Sequence, residues 1–371
     1  MSSSNVSPAG FDQGVIDLSA EFGVLKVHGV EAAQFLQAQL TSDVQSLRGD
    51  GFRLAGYCTP KGRLLASFWV WRDPPADGSV DTFWLACSRG LAAAVARRLA
   101  MYVLRAKVKV ENVSDTTAVL GRVVRAATDT DADAAAVAAT VGDAAVAGAP
   151  RWRPLSPVAI AAPMLALLPE LPLGAAATLA RAVAIVAADP APAPPGTGST
   201  TTAPLPAGSW QRLEVLSAIA RIVPENQELF VPQMVNFERV GGVDFRKGCY
   251  PGQEVVARSQ YLGKLKRRSF LGRGEGPAPL PGSDVAAATA APEPIGQVVN
   301  AAALADGAGF VVLFESRSDA VGDGPAAVRI DGRPVALLPL PYTFADPPAS
   351  PAAAGAPAAD AGGRSAAPAG R

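Results

Sequence analysis

"LFVPQMVNFERVGGVDFRKGCYPGQEVVAR" (Leu229–Arg258) differs in composition from the Ala-, Val-, Leu- and Pro-rich sequence around it. Toward its end, "RKGCYPGQE" consists almost wholly of glycine, charged, polar and reactive residues. Pro251 and Gly252 fit the central positions of a type II turn, because proline presets φ and glycine supplies a positive φ. The sequence therefore predicts a tight turn with Cys249 at its mouth.

Two interpretations of Cys249 stay open on the residues alone. In the first, the thiol is accessible and reactive, and the nearby charge of Lys247 favours the thiolate, the form that acts as a nucleophile or ligand. Gly248 would allow unusual backbone angles or close approach of a ligand, and Gln253 and Glu254 would serve recognition or position the thiol. In the second, Cys249 is a buried structural cysteine beside an ordinary loop.

Composition and charge argue against several classes of function. The 371 residues include 33 basic and 33 acidic side chains, so the chain lacks the basic excess typical of nucleic-acid-binding proteins. Three cysteines with no C-x-x-C pair are too few for a disulfide framework or a zinc site of this chain alone. The single histidine, His28, disfavours Ser-His-Asp and Cys-His catalysis.

Targeting signals are not evident. The first residues show no basic and apolar leader pattern, and prolines and charges interrupt the most apolar run, Pro157–Val186. We therefore expect a cytoplasmic protein that does not enter a membrane.

Hydrophobic periodicity predicts an α+β organisation. Residues 51–112 suggest a β-β-α-β block that could close on itself, and helices are predicted for "AAATLARAVAIV" (residues 175–186) and from about Ser209. The region 260–345 suggests a small all-β domain, in which Asp331-Gly332 predicts a type I′ hairpin.

The motif "KGCYPGQE" resembles the K-G-C-[YF]-x-G-Q-E signature of the YgfZ family of folate-binding proteins, relatives of the glycine-cleavage T-protein (aminomethyltransferase). The segment before it resembles the family's F-x-P-Q-x-x-N pattern, and "FLQAQLTSDV", "GYCTPKGRLLASF" and "LPLPY" resemble further family segments in the same order. The resemblance thus extends from about residue 15 to 345.

This resemblance implies a three-domain, T-protein-like α+β ring. A folate-binding domain at 1–50 and 113–256 would be split around a ferredoxin-like insertion at 51–112, and a C-terminal β-barrel would occupy 257–345. A low-complexity loop at 189–208 and a disordered tail at 346–371 complete the predicted organisation.

The resemblance also implies the site residues. Tetrahydrofolate would lie in a central channel with its pterin stacked between aromatic side chains, for which Trp210 matches one family tryptophan and Phe22 stands in place of the other. The folate-binding set is Phe22, Trp210, Gln233, Asn236 and Arg258. The catalytic set is Lys247, Cys249, Tyr250, Gln253 and Glu254, with no resident metal.

Two functions follow as alternatives. The first is a folate-dependent accessory factor, rather than an enzyme, for assembly or repair of iron–sulfur clusters, including those of enzymes that modify tRNA. Its partners would be iron–sulfur enzymes or cluster-assembly proteins, bound transiently. The second is a one-carbon transferase like the T-protein, whose catalytic aspartate motif we do not find. We expect no direct DNA binding, and the zero net charge disfavours direct tRNA binding, although "GKLKRRSF" forms a local basic strip.

Overall fold

The computed structural model describes most of the chain and places its strands in three sheets. The described residues are 14–47, 52–73, 80–127, 151–154, 171–172, 177–189, 204–261, 265–288, 293–322, 326–342 and 344. The predicted tail at 346–371 and most of the predicted loop at 189–208 lie outside these residues.

The strands, in chain order, are β1 (Gly14–Asp17), β2 (Phe22–His28), β3 (Phe52–Cys58), β4 (Leu64–Asp73), β5 (Thr82–Ser88), β6 (Lys109–Asn112), β7 (Thr117–Ala127), β8 (Arg151–Pro154), β9 (Leu171–Pro172), β10 (Ala177–Asp189), β11 (Arg267–Glu275), β12 (Asp284–Ala287), β13 (Pro294–Ala303), β14 (Gly309–Arg317), β15 (Val328–Ile330) and β16 (Arg333–Leu338). The helices are α1 (Ala32–Gln37), α2 (Arg89–Met101), α3 (Ser209–Leu216) and α4 (Gln253–Tyr261), with 3₁₀ turns at Pro224–Asn226 and Pro232–Val235.

The first sheet is antiparallel, with strand order β3-β4-β5-β2-β6. Helix α2 joins β5 to β6 across β2, against which it packs. It buries Leu91, Val95 and Leu99. The block at 51–112 therefore does not close on itself, because β2, from residues before that block, separates β5 from β6. The limits of the split domain stay a prediction.

The second sheet has the order β1-β7-β10-β8, with β9 also paired to β10. The helix predicted for residues 175–186 is wrong, because β10 pairs with β7 in continuous antiparallel register from Ala177↔Ala127 to Ala187↔Thr117. The alanines of this segment favour a helix, but β-branched residues are interspersed among them and a long partner strand is present. Strand pairing therefore overrides the local propensity.

The third sheet is a closed barrel of strands β11-β14-β13-β12-β15-β16, which confirms the predicted C-terminal β-barrel. Valine, isoleucine and phenylalanine side chains fill it, among them Val298, Phe310 and Phe314. Asp331 and Gly332 have φ angles of 49° and 75°, so the predicted type I′ hairpin connects β15 to β16.

One hydrophobic core extends through the first sheet, α3 and the adjoining barrel strands. Trp210 of α3 is fully buried at this junction. It packs against Gly121 of β7, where an added Cβ atom would come within 2.8 Å of the indole ring. The helix that starts at Ser209, as predicted, therefore holds two sheets and the barrel together.

Candidate functional site

The turn after Cys249 has the predicted geometry. The backbone N–H of Gln253 donates to the Tyr250 carbonyl at 3.2 Å, and Gly252, the third residue of the turn, has a φ of 80°. Pro251 occupies the position before it, as in a type II turn. Helix α4 begins at Gln253, and Cys249 is exposed immediately before the turn.

A second turn, Thr59–Gly62, supports the first one. The backbone N–H of Gly62 donates to the Thr59 carbonyl at 2.8 Å. A Cβ atom added to Gly252 would come within 2.6 Å of the Gly62 Cα atom, so the two turns are in direct backbone contact. The motifs "GYCTPKGR" and "KGCYPGQE", which are distant in sequence, therefore meet in space and fix the backbone that carries Cys249.

Lys247 is buried between the motif and helix α1. Its Nζ atom donates to the backbone carbonyls of Leu40, at 2.6 Å, and Gln37, and lies 4.8 Å from the centre of the Tyr250 ring. Burial lowers the pKa of Lys247 to about 8. The lysine thus satisfies carbonyl groups at the end of α1. Its predicted activation of Cys249 stays a prediction alongside this structural role.

The remaining residues of the predicted catalytic set differ in exposure. Tyr250 is buried, and burial raises the pKa of its hydroxyl above the ordinary value. Gln253 is half-buried in the first turn of α4, whereas Glu254 in the same turn and Arg258 in the last turn are exposed. Cys249 and Glu254 are therefore exposed, Gln253 is partly accessible, and Tyr250 is not.

The three cysteines have different environments. Cys58 and Cys87 are buried, and burial raises the pKa of each thiol to about 12. Cys249 is exposed. The thiolate is the reactive form of cysteine, so Cys249 is the residue of the three whose environment permits reaction at neutral pH.

The two aromatic residues predicted to stack on folate both contact Trp69 of β4. Phe22 is stacked on Trp69 with ring centroids 4.5 Å apart, and Trp210 meets Trp69 edge-on at 6.2 Å. Phe22 and Trp210 are 3% and 0% exposed, so neither presents an open face. The sequence interpretation missed Trp69, although its aromatic run "SFWVW" was visible as a strand.

Charged residues line a small cavity beside this aromatic cluster. The Arg221 guanidinium lies 4.6 Å from the Phe22 ring centre and pairs with Glu21 at 3.2 Å and Glu214 at 3.3 Å. Phe22, Trp69, Glu214 and Arg221 line the cavity, whose volume is about 10 Å³. The aromatic, carboxylate and guanidinium groups suit a pterin and its acidic tail. The volume suits about one water molecule, so a pterin requires lining side chains to move.

Gln233 and Asn236, predicted to contact folate, are fully buried. The Gln233 amide donates to the Val256 carbonyl of α4 at 2.7 Å. The Asn236 amide donates to the Ser269 carbonyl of β11 at 2.9 Å and to the Tyr342 hydroxyl at 3.2 Å. These bonds connect the Pro232–Val235 turn to α4 and to the barrel. The predicted folate contacts of the two residues stay a prediction.

The basic strip "GKLKRRSF" is partly neutralised in the fold. Arg267 forms an ion pair with Glu315, and Arg268 forms one with Glu238. Pairing of this kind reduces the charge available to a phosphate backbone. Over the described residues, no helix is long and apolar enough to cross a membrane, and no group of three or more metal-ligating side chains is present.

Comparison with known proteins shows the family of the chain. No protein-family model matches the chain. It is 31% identical over 337 residues to the tRNA-modifying protein YgfZ of Edwardsiella ictaluri, covering 86% of this chain and 89% of the relative. The chain belongs to the YgfZ family. The YgfZ relative from Vibrio vulnificus strain CMCP6 is 28% identical over 260 residues, which cover 69% of this chain and 68% of that protein.

The fold of this chain resembles that of a solved T-protein. The crystal structure of the glycine cleavage system aminomethyltransferase T from Bartonella henselae superposes with a TM-score of 0.54 and 12% identity, covering 89% of this chain and 86% of that one. The predicted family and the predicted T-protein-like α+β fold are both confirmed.

Proposed function

We propose that this YgfZ-family protein binds tetrahydrofolate and assists assembly or repair of iron–sulfur clusters in client enzymes, including enzymes that modify tRNA. Cys249 is the reactive group, acting as a transient thiol or sulfur ligand. The observation that carries this proposal is the exposure of Cys249 on a turn fixed by backbone packing, while Cys58 and Cys87 are buried. The protein would act in the cytoplasm and meet its clients transiently.

The cavity beside Phe22 supports the folate part of the proposal by its chemistry. The edge of a pterin carries adjacent N–H groups, and a carboxylate such as that of Glu214 accepts hydrogen bonds from such groups. Trp69 and Phe22 stack on each other, so a pterin would stack on either ring only after the two side chains separate. Bound folate would act as a one-carbon carrier or as a conformational effector. Because the cavity is small, binding requires Phe22 or Arg221 to move.

The second candidate is a folate-dependent aminomethyl or one-carbon transferase, and the T-protein-like fold favours it. The two candidates differ in the role of Cys249. A transferase of the T-protein type does not need an exposed thiol, whereas the accessory factor does.

A gene deletion complemented with variants tests the proposal. Wild type and Ser259→Ala, a nearby change in α4, should restore iron–sulfur enzyme activity and 2-methylthio-tRNA content. Cys249→Ser should not restore either, although its turn does not depend on sulfur. Full complementation by Cys249→Ser would overturn the role of the cysteine. Formation of methylenetetrahydrofolate by the purified protein from an aminomethyl donor would favour the transferase.

A further inference from the structure

A cleft lies between the first turn of α3 and the end of β13 in the barrel, apart from the aromatic cavity. Its volume is about 320 Å³, which is in the range of small-molecule pockets. Most of its lining is alanine and leucine, and no residue lines both this cleft and the aromatic cavity. The residues that line it are Pro206, Ala207, Gly208, Gln211, Arg212, Ala278, Ala301, Ala302, Ala303, Leu304 and Ala305.

Arg212 is the charged residue of this cleft and is only 5% exposed. It donates to the Ser209 hydroxyl at 2.9 Å and to the Ala303 carbonyl at 3.3 Å, and no carboxylate pairs with it within the described part of the chain. By contrast, Arg72 and Arg268, which are also largely buried, each pair with a carboxylate. Burial of a cation without a counter-charge is costly.

Among the residues that the structure describes, the surroundings of Arg212 offer no other compensation. Burial lowers the pKa of its guanidinium, and no acidic group within the described ranges offsets the effect. Helix α3 has no side-chain cap, since Gly208 occupies the N-cap position, so the positive end of the helix dipole adds to the same field. The cleft therefore favours an anion. One guanidinium balances one negative charge, which suits a carboxylate better than a phosphate dianion.

A second polar group in the lining adds a requirement on the chemistry of the ligand. The Gln211 side chain donates through Nε2 to Glu21, and this bond fixes the orientation of its amide. Its Oε1 atom is buried and has no hydrogen-bond partner among the residues described. The lining thus combines one cation, one residue that carries an unused acceptor, and mostly apolar walls.

We propose that this cleft is a binding site for a small organic carboxylate that also carries a hydroxyl or N–H donor on a compact apolar body. The carboxylate pairs with Arg212, and the apolar body packs on the alanines of β13. The donor reaches the otherwise buried Gln211 Oε1 when this side chain turns toward the cleft. This site is separate from the proposed folate site and does not depend on it.

Calorimetry on the full-length protein tests the proposal with para-hydroxybenzoate as the probe and para-hydroxybenzamide as its neutral analogue. We expect para-hydroxybenzoate to bind about tenfold more tightly than the amide, because a hydrogen bond to a charged group contributes more than a neutral one. Arg212→Gln should abolish this preference. Equal affinity of the two probes, or no measurable binding of either, would overturn the proposal.

A second pair of variants tests the site independently, in case Arg212→Gln does not fold. Ala305→Phe places a ring at an exposed lining position and should block para-hydroxybenzoate binding while Arg212 is unchanged. Ala308→Phe, at an exposed position of the same β13–β14 turn that does not line the cleft, should bind like wild type. Undiminished binding by Ala305→Phe would place the carboxylate elsewhere and contradict the inference.

Discussion

Gly252 lies directly against Gly62, and the contact leaves no space for a side chain. A Cβ atom on Gly252 would come within 2.6 Å of the Gly62 Cα atom, and the φ of Gly252 is +80°, a conformation that L side chains rarely adopt. The turn beside Cys249 is therefore held by backbone packing between two distant motifs. Its position does not depend on the thiol.

Gly252→Ala should destabilise the protein by on the order of 2 kcal/mol, because it combines backbone strain with a clash that side-chain movement cannot relieve. Gly248→Ala is the matched control, since an added Cβ atom there meets nothing within 4 Å. We expect a change below about 0.5 kcal/mol for that variant. Urea unfolding measures both values. Equal stability of the two variants would contradict the observed packing of the turns.

Iodoacetamide at neutral pH should modify Cys249 well before Cys58 or Cys87. Cys249 is exposed, whereas burial raises the pKa of the other two thiols to about 12, so little of their thiolate exists at that pH. Peptide mapping by mass spectrometry identifies the modified residue. The Cys249→Ser variant should resist modification until it is unfolded. Rapid labelling of Cys58 or Cys87 in the folded protein would show that their burial is incomplete.

Local sequence signals predict those parts of the fold that local chemistry determines. Pro251-Gly252 and Asp331-Gly332 have the turn geometries expected of them, because positive φ at glycine specifies each turn type. The family resemblance predicts the T-protein-like fold and the C-terminal barrel, since its motifs span most of the chain.

The sequence alone does not predict which distant segments pair or pack against each other. Nothing in Phe22–His28 indicates that this strand inserts between β5 and β6, because strand neighbours are chosen by long-range pairing and packing. The alanine-rich sequence of β10 predicts a helix, because its long pairing with β7 is not visible in the local sequence. The cavity group of Trp69, Glu214 and Arg221 also went unrecognised, since a strand, a helix and the segment after it supply one residue each.

The free energy of unfolding should depend on pH through Lys247. Burial lowers its pKa from 10.5 to about 8 in the folded protein, so between these values the unfolded chain binds more protons. Stability contributed by Lys247 therefore rises with pH across this window, by roughly 3 kcal/mol at most. It is unchanged below about pH 8, where the lysine is protonated in both states.

Comparison with Lys247→Met isolates this contribution. Cys58 and Cys87 titrate in the opposite sense at alkaline pH, but they are present in both proteins and cancel in the difference. Wild type should gain stability relative to the variant as the pH rises from about 8 to 10.5, as measured by urea unfolding at each pH. A difference that does not change with pH would mean that the ammonium is well solvated.

Glu214→Gln should weaken binding of folinic acid about tenfold, because a neutral amide accepts the pterin N–H donors less strongly than a carboxylate. Glu214 lines the aromatic cavity, whereas Glu225 is exposed and does not, so Glu225→Gln serves as the control. Quenching of Trp69 fluorescence reports binding, and Trp69→Phe should reduce the quenching while keeping most of the affinity. If Glu214→Gln and Glu225→Gln bind folinic acid equally well, the pterin does not contact Glu214 and the folate site lies elsewhere.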